Sequence, residues 1–165
     1  MDTKTILSVQ NLQVKFTLRG EILHAIRDIS LDVYRGESLA IVGESGSGKS
    51  VFTKTFLGLL DSNGYLDGGH IYYYPDESDS SEKVDLAAFQ TEKEWLTIRG
   101  RQIAMIMQDP MTSLNPLKTI GAQLIETVLL HHEMTKENAH QLAIQLLTDV
   151  GITEPERRAR QYPHE

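Results

Sequence analysis

Eight residues, Gly43 to Ser50, read G-E-S-G-S-G-K-S and constrain the chain more than any other stretch. They fit the pattern G-x-x-x-x-G-K-[ST] at every fixed position. The run before them, Ser38-Leu39-Ala40-Ile41-Val42, is short and largely apolar, which predicts a buried parallel strand. The run after them, Val51 to Leu60, has no proline and a single glycine, and reads as a helix. A strand, a glycine-rich loop and a helix in that order make the structural context of a phosphate-binding P-loop. Gly43, Gly46 and Gly48 permit positive φ and close approach of the backbone to a ligand. Glu44, Ser45 and Ser47 then supply successive backbone N–H groups to a concave nest for phosphate oxygens. The first helical turn, with Val51, adds unpaired N–H groups and the positive end of the helix dipole. Lys49 carries an ammonium toward the β- and γ-phosphates, and the Ser50 hydroxyl is a hard oxygen ligand of the kind Mg²⁺ takes.

Bulk properties narrow the class. The 165 residues suffice for one domain with a core. Apolar content of 40%, charged content of 24% and mean hydropathy of −0.28 are those of a globular composition, with no run long enough to span a bilayer. The absence of cysteine excludes disulfides and thiolate metal sites and fits a reducing compartment. The net charge of −7 argues against nucleic acid as a partner. Much of that charge lies in Pro75–Glu94, where seven acids face two lysines, a pattern expected of a solvated loop.

In chain order, Ile6–Phe16 alternates apolar and polar residues with an interruption at Asn11, predicting an antiparallel strand with a break or bulge. Arg19-Gly20-Glu21 marks a turn, and Glu21–Arg27 and Ile29–Tyr34 read as two further strands. Phe16 stands 27 residues before Gly43. An aromatic at a strand end packs on the core or edge, or it stacks on a purine; spacing does not separate the two. Asp61-Ser62-Asn63-Gly64 ends the P-loop helix, and Gly68–Tyr74 reads as a strand whose tyrosines pack on alternate faces. A short helix is expected near Thr91–Ile98. Gln102–Met107 is a second nearly continuous apolar run, hence a second buried strand, with Gln108 at its carboxyl end, where ligands of open α/β sheets bind. Gln108 either reaches a metal or water there or caps a strand. From Lys118 on the pattern is helical, with apolar stripes at Ile120–Leu129 and Leu142–Val150. Thr135 is the expected N-cap, Gly151 the expected stop, and Thr153-Glu154-Pro155-Glu156 an expected capping box. His131, His132 and His140 lack the spacing of a metal set and read as helix surface.

Taken with the P-loop, the run Gln108-Asp109-Pro110-Met111-Thr112-Ser113-Leu114-Asn115-Pro116 resembles the ATP-binding subunit of ABC transporters, specifically the oligopeptide, dipeptide and nickel importer group. The resemblance extends from the V-x-F strand through A-I-R-D-I-S to the closing Q-Y-P-H-E. It implies an α/β fold: a P-loop NTPase core of ABC ATPase type, an N-terminal antiparallel β subdomain and an α-helical subdomain. Residues 1–110 would hold the β subdomain and partial core, and 111–165 the helical subdomain. The resemblance implies ATP and Mg²⁺ as cofactors, Phe16 as the ring that stacks on adenine, and Lys49 and Ser50 as phosphate and Mg²⁺ ligands. Gln108 matches a glutamine that contacts Mg²⁺ or the attacking water. The implied partners are integral-membrane permease subunits, a second ABC ATPase subunit (identical or homologous) and, indirectly, an extracellular peptide-binding protein. The implied location is the cytoplasmic face of the cell membrane, and the implied role is coupling ATP binding and hydrolysis to peptide uptake.

The chain departs from that pattern at its far end. The closing Y-P-H-E reaches Glu165 without the signature motif, no Walker B strand ending in Asp-Glu is present, and no switch histidine follows. The expectation is an N-terminal fragment, lacking the C-terminal part of the core, that binds ATP without turning it over, since phosphoryl transfer needs a positioned water and charge stabilisation besides the cradle. The alternative is a stand-alone, non-hydrolysing nucleotide-binding or dimerisation module. A small kinase or GTPase would need an acceptor lid or a base-specificity element, and the sequence shows neither.

Overall fold

The computed structural model describes residues 4–75, 82–107 and 113–165. The chain divides into two compact units, Met1–Ile103 and Ala104–Glu165.

The first unit is built on a four-stranded antiparallel sheet. Strand β1 (Thr5–Leu18) is central; β2 (Glu21–Tyr34) flanks it on one side, and β3 (Gly64–Tyr73) followed by the two-residue β4 (Val84–Asp85) on the other. β1 and β2 form a hairpin closed at Leu18↔Glu21, and the two connecting residues, Arg19 and Gly20, both take positive φ (50° and 87°), as a type I′ turn requires. The break expected at Asn11 is present: its φ is 49°, the register to β2 shifts between Val9 and Leu12, and its N–H donates to Ser30 Oγ at 2.9 Å. The two strands expected over 21–34 are one, because bulges absorb the irregular pattern without ending the ladder. β3 begins at Gly64 rather than Gly68, and its N-terminal half pairs with Phe16, Lys15 and Val14 of β1. The core lies on this sheet, where Val9, Leu12, Val14 and Ile71 are fully buried with Leu86 of the 3-10 turn Leu86–Ala88.

Three expectations for this unit are corrected. Residues 38–42 are not a strand: no strand among the described residues pairs with them, and Leu39, Ile41 and Val42 are exposed, Val42 at 92%. An apolar run specifies a buried strand only where neighbours complete its ladder on both sides. The helix α1 spans Lys49–Thr55 and does not run to Leu60. Gly58, at φ 59°, closes it: the Leu59 N–H reaches Lys54 O at 3.0 Å and the Gly58 N–H reaches Thr55 O at 3.2 Å. The acidic segment is structured beyond residue 83, in β4, the 3-10 turn and the start of α2 (Glu92–Ile98). Thr91 caps α2 with a full capping box to Glu94.

The second unit packs α3 (Ile120–His131), α4 (Lys136–Asp149) and α5 (Pro155–Arg160). Thr119 and Thr135 cap α3 and α4 through their hydroxyls. Gly151 ends α4 as expected, with the Ile152 N–H on Leu147 O and the Gly151 N–H on Thr148 O, both at 2.9 Å. α3 approaches α5 so closely that a Cβ on Gly121 would lie 2.8 Å from Ala159 O. The capping box expected at Thr153 does not form: Glu154 itself is the N-cap, at φ 52°, with no side-chain cap bond. The strand expected over 102–107 is also absent. Residues 104–107 carry no regular structure, and Ile106 is 94% exposed, because no neighbouring strand among the described residues pairs with them.

Candidate functional site

The P-loop is held from both ends of α1. Phe52 is buried and meets Phe56 edge-on at 4.9 Å, while the buried Thr55 hydroxyl donates to Phe52 O at 2.6 Å. Beyond the helix, the Arg99 guanidinium donates to Leu57 O (2.7 Å) and Gly58 O (3.2 Å), satisfying carbonyls at the closing turn, and the Trp95 ring covers Gly58. At the front, Gly48 is the N-cap, at φ 91° and ψ 0°. A side chain there would be strained by φ, and its Cβ would lie 3.0 Å from the Ala25 carbonyl oxygen. Ala25 is one of the bulged residues of β2: Val14 pairs with Ile26 and Lys15 with His24, leaving Ala25 unmatched. The bulge turns this stretch of β2 toward the start of α1.

The loop is exposed and wraps around its own lysine. Lys49 Nζ donates to Gly43 O (2.6 Å), Glu44 O (2.7 Å) and Ser47 Oγ (3.2 Å), and the Ser47 N–H closes a turn on Glu44 O. A Cβ on Gly43 would lie 2.8 Å from Ser47 Oγ, so a side chain there would turn the Ser47 hydroxyl away from its contact with Lys49. Gly46 adds a positive φ of 80°. No acidic side chain occupies the first turn of α1, and the N-cap offers no side-chain acceptor, so the helix start presents its N–H groups without an internal anion. Ser50 lies exposed in that turn. A glycine cradle, an ammonium above it and an exposed hydroxyl beside it form a donor set that suits a polyphosphate with a hard divalent cation.

Phe16 is nearby through the sheet. It pairs with Leu23 on β2, two residues from Ala25, which places its backbone about 8 Å from the residue that supports Gly48. Its ring is buried, 9% exposed, and rests on Gly64 of β3. The structure thus gathers Phe16 and Gly43–Val51 in one unit. Gln108 lies outside the described residues. Three supports carry no motif signal: Ala25, Gly64 and the Trp95–Arg99 pair. Gly64 reads in the sequence as a helix stop, and the bulge at Ala25 leaves only an irregular alternation in β2.

The family model described as ABC transporter matches residues 26–165. The chain belongs to the ABC transporter family. Among its relatives, the oligopeptide transport ATP-binding protein AmiE of Streptococcus pneumoniae is 46% identical over 98% of this chain and 43% of its own length. The dipeptide transport ATP-binding protein DppD of Bacillus subtilis is 44% identical over 97% of the chain and 45% of its own length. The chain therefore spans less than half the length of these relatives. In fold it is similar to a dimeric ATP-binding cassette solved in a post-hydrolysis state with ADP and phosphate, at a TM-score of 0.78 and 22% identity, covering 96% of this chain and 62% of that one. The protein cbiO1 from Clostridium perfringens, part of an ABC transporter complex, aligns with a TM-score of 0.64 and 21% identity over 97% of the chain and 55% of its own length. The chain thus has the ABC ATPase fold, with an antiparallel sheet beside the P-loop. No helix among the described residues is long and apolar enough to cross a membrane.

Proposed function

We propose that this chain binds ATP with Mg²⁺ and serves in the ATP-binding subunit of an ABC importer that takes up oligopeptides or dipeptides. The observation that carries the reading is the P-loop geometry within an ABC transporter match: Lys49 held over the loop by the Gly43 and Glu44 carbonyls, with exposed Ser50 in the next turn. The backbone N–H groups of Glu44–Ser50 take the phosphate oxygens, and Lys49 exchanges its loop carbonyls for the β- and γ-phosphates. Ser50, with Gln108, holds Mg²⁺, which when bound neutralises phosphate charge. Phe16 receives the adenine ring. The names of the relatives supply the cargo class. In this reading the importer's permease subunits dock on residues 111–165, a second ATPase subunit faces the P-loop, and the assembly sits at the cytoplasmic face of the membrane.

Titration calorimetry of this 165-residue chain with ATP and Mg²⁺, paired with a phosphate-release assay, tests the reading. The expected result is saturable binding of one ATP without turnover, because the chain carries no carboxylate in a Walker B context. Absence of binding would overturn the assignment of the cradle, and turnover would overturn the division of labour between this chain and the signature and Walker B elements.

A further inference from the structure

Phe16 occupies its position because of what Gly64 lacks. The two residues are cross-strand partners on β1 and β3. The ring lies down on the Gly64 backbone so closely that an added Cβ would stand 2.5 Å from Phe16 Cε1, 2.9 Å from Cζ and 3.0 Å from Cδ1. Carbon atoms in contact sit about 3.5–4.0 Å apart, so any side chain at Gly64 drives the ring back by about 1 Å. Gly64 does not take a positive φ, so an L-residue fits its backbone and the ring alone sets the restriction. The surroundings are fixed. Asn63 grips the next residue of β1 from both sides: the Thr17 N–H donates to Asn63 O at 2.9 Å, and Asn63 Nδ2 donates to Thr17 O at 3.1 Å. The Gly64 N–H closes a turn on Asp61 O at 2.8 Å, and Lys15 pairs with Asp67 at 2.5 Å. On the opposite side Phe16 faces Leu23, which is exposed. Phe16 is 9% exposed, so a side chain at Gly64 moves the ring against the neighbours that bury it.

We propose that Gly64 is a positioning residue for base recognition: its bare backbone sets the height of the Phe16 ring, and so the place where a purine stacks. The inference rests on the reading of Phe16 as the adenine platform. Stacking falls off when the ring planes no longer meet, whereas the phosphate cradle on Gly43–Ser50 does not touch Gly64.

The test compares ATP with inorganic triphosphate, both with Mg²⁺, on the full chain carrying Gly64→Ala, Phe16→Ala or both. Gly64→Ala is expected to weaken ATP binding roughly five-fold or more while triphosphate binding stays within about two-fold. In the Phe16→Ala background the same substitution is expected to change ATP affinity by less than about two-fold, since the ring it displaces is gone. Wild-type ATP affinity in Gly64→Ala, equal losses for both ligands, or an undiminished loss in the Phe16→Ala background would each overturn the role of Gly64. Phe16→Ala that weakens both ligands equally would instead overturn the stacking reading. A base-selective loss in Phe16→Ala beside a silent Gly64→Ala would overturn the positioning role alone.

Discussion

At the scale of single residues, the loop is organised by a charge that satisfies its own backbone. Lys49 bonds two carbonyls and a hydroxyl of the segment it closes. These groups are exposed, so water replaces the ammonium readily when it is removed. Lys49→Ala is therefore expected to leave the thermal unfolding of the chain almost unchanged and to weaken triphosphate binding at least about ten-fold, the scale of a lost charge-assisted hydrogen bond. Calorimetry and a melting curve on the same sample check both halves. Gly48→Ala is the opposite case. It meets Ala25 O and a φ of 91°, and is expected to cost about 1–2 kcal/mol of stability, read in a denaturant titration, besides weakening binding. The loop residues are legible in the sequence because each fixed position of the motif has its own physical reason. Ala25 and Gly64 are not, because what matters at one is a register slip and at the other a missing atom. Both depend on strands far away in the chain.

At the scale of elements, the cap expected at Thr135 forms, whereas the capping box expected at Thr153 and the strands expected from two apolar runs do not. A cap is a local contract between a hydroxyl and an N–H three residues on, so Thr135 is legible without knowing the fold, and the structure adds the same contact at Thr91 and Thr119. Thr135→Ala is expected to cost about 1 kcal/mol in a denaturant titration. Glu94 carries a pH-dependent version of the same contract. The Thr91 hydroxyl, and after it the N–H groups of Gln90 and Thr91, bond its carboxylate and hold its pKa below the usual 4.5. A depressed folded-state pKa stabilises above the unfolded value and loses that contribution as pH falls through the folded value. The first turn of α2 is therefore expected to fray as pH drops below about 4.5, seen as lower amide protection there relative to the intrinsic exchange rate at each pH. Glu94→Gln should remove that pH dependence. The runs at 38–42 and 102–107 fail as strand predictions for a different reason. An apolar pentapeptide states that it prefers burial, and only the neighbouring chain decides whether it is buried.

At the scale of the whole chain, burial is uneven in a way that can be measured. Val14, in the alternating pattern of the central strand, is fully buried, whereas Val42 and Ile106, in nearly continuous apolar runs, are almost fully exposed. A hydroxyl placed at a buried site loses its water and gains no partner there, while at an exposed site it keeps its water. Val14→Thr is therefore expected to destabilise this chain by about 1–3 kcal/mol, and Val42→Thr and Ile106→Thr each by less than about 0.5 kcal/mol. The comparison is internal, because the first two are the same substitution at two β-branched sites. Equal costs at positions 14 and 42 would mean that the stretch leading into the P-loop is covered in solution, and its lack of a paired strand would then have to be revised. A small cost at 42 would mean that the cradle is held by α1, the Ala25 bulge and the Arg99 contacts without a strand ladder beneath it. In that case nucleotide binding should survive Val42→Thr unchanged while Arg99→Ala, which strips the carbonyls at the far end of α1, weakens it.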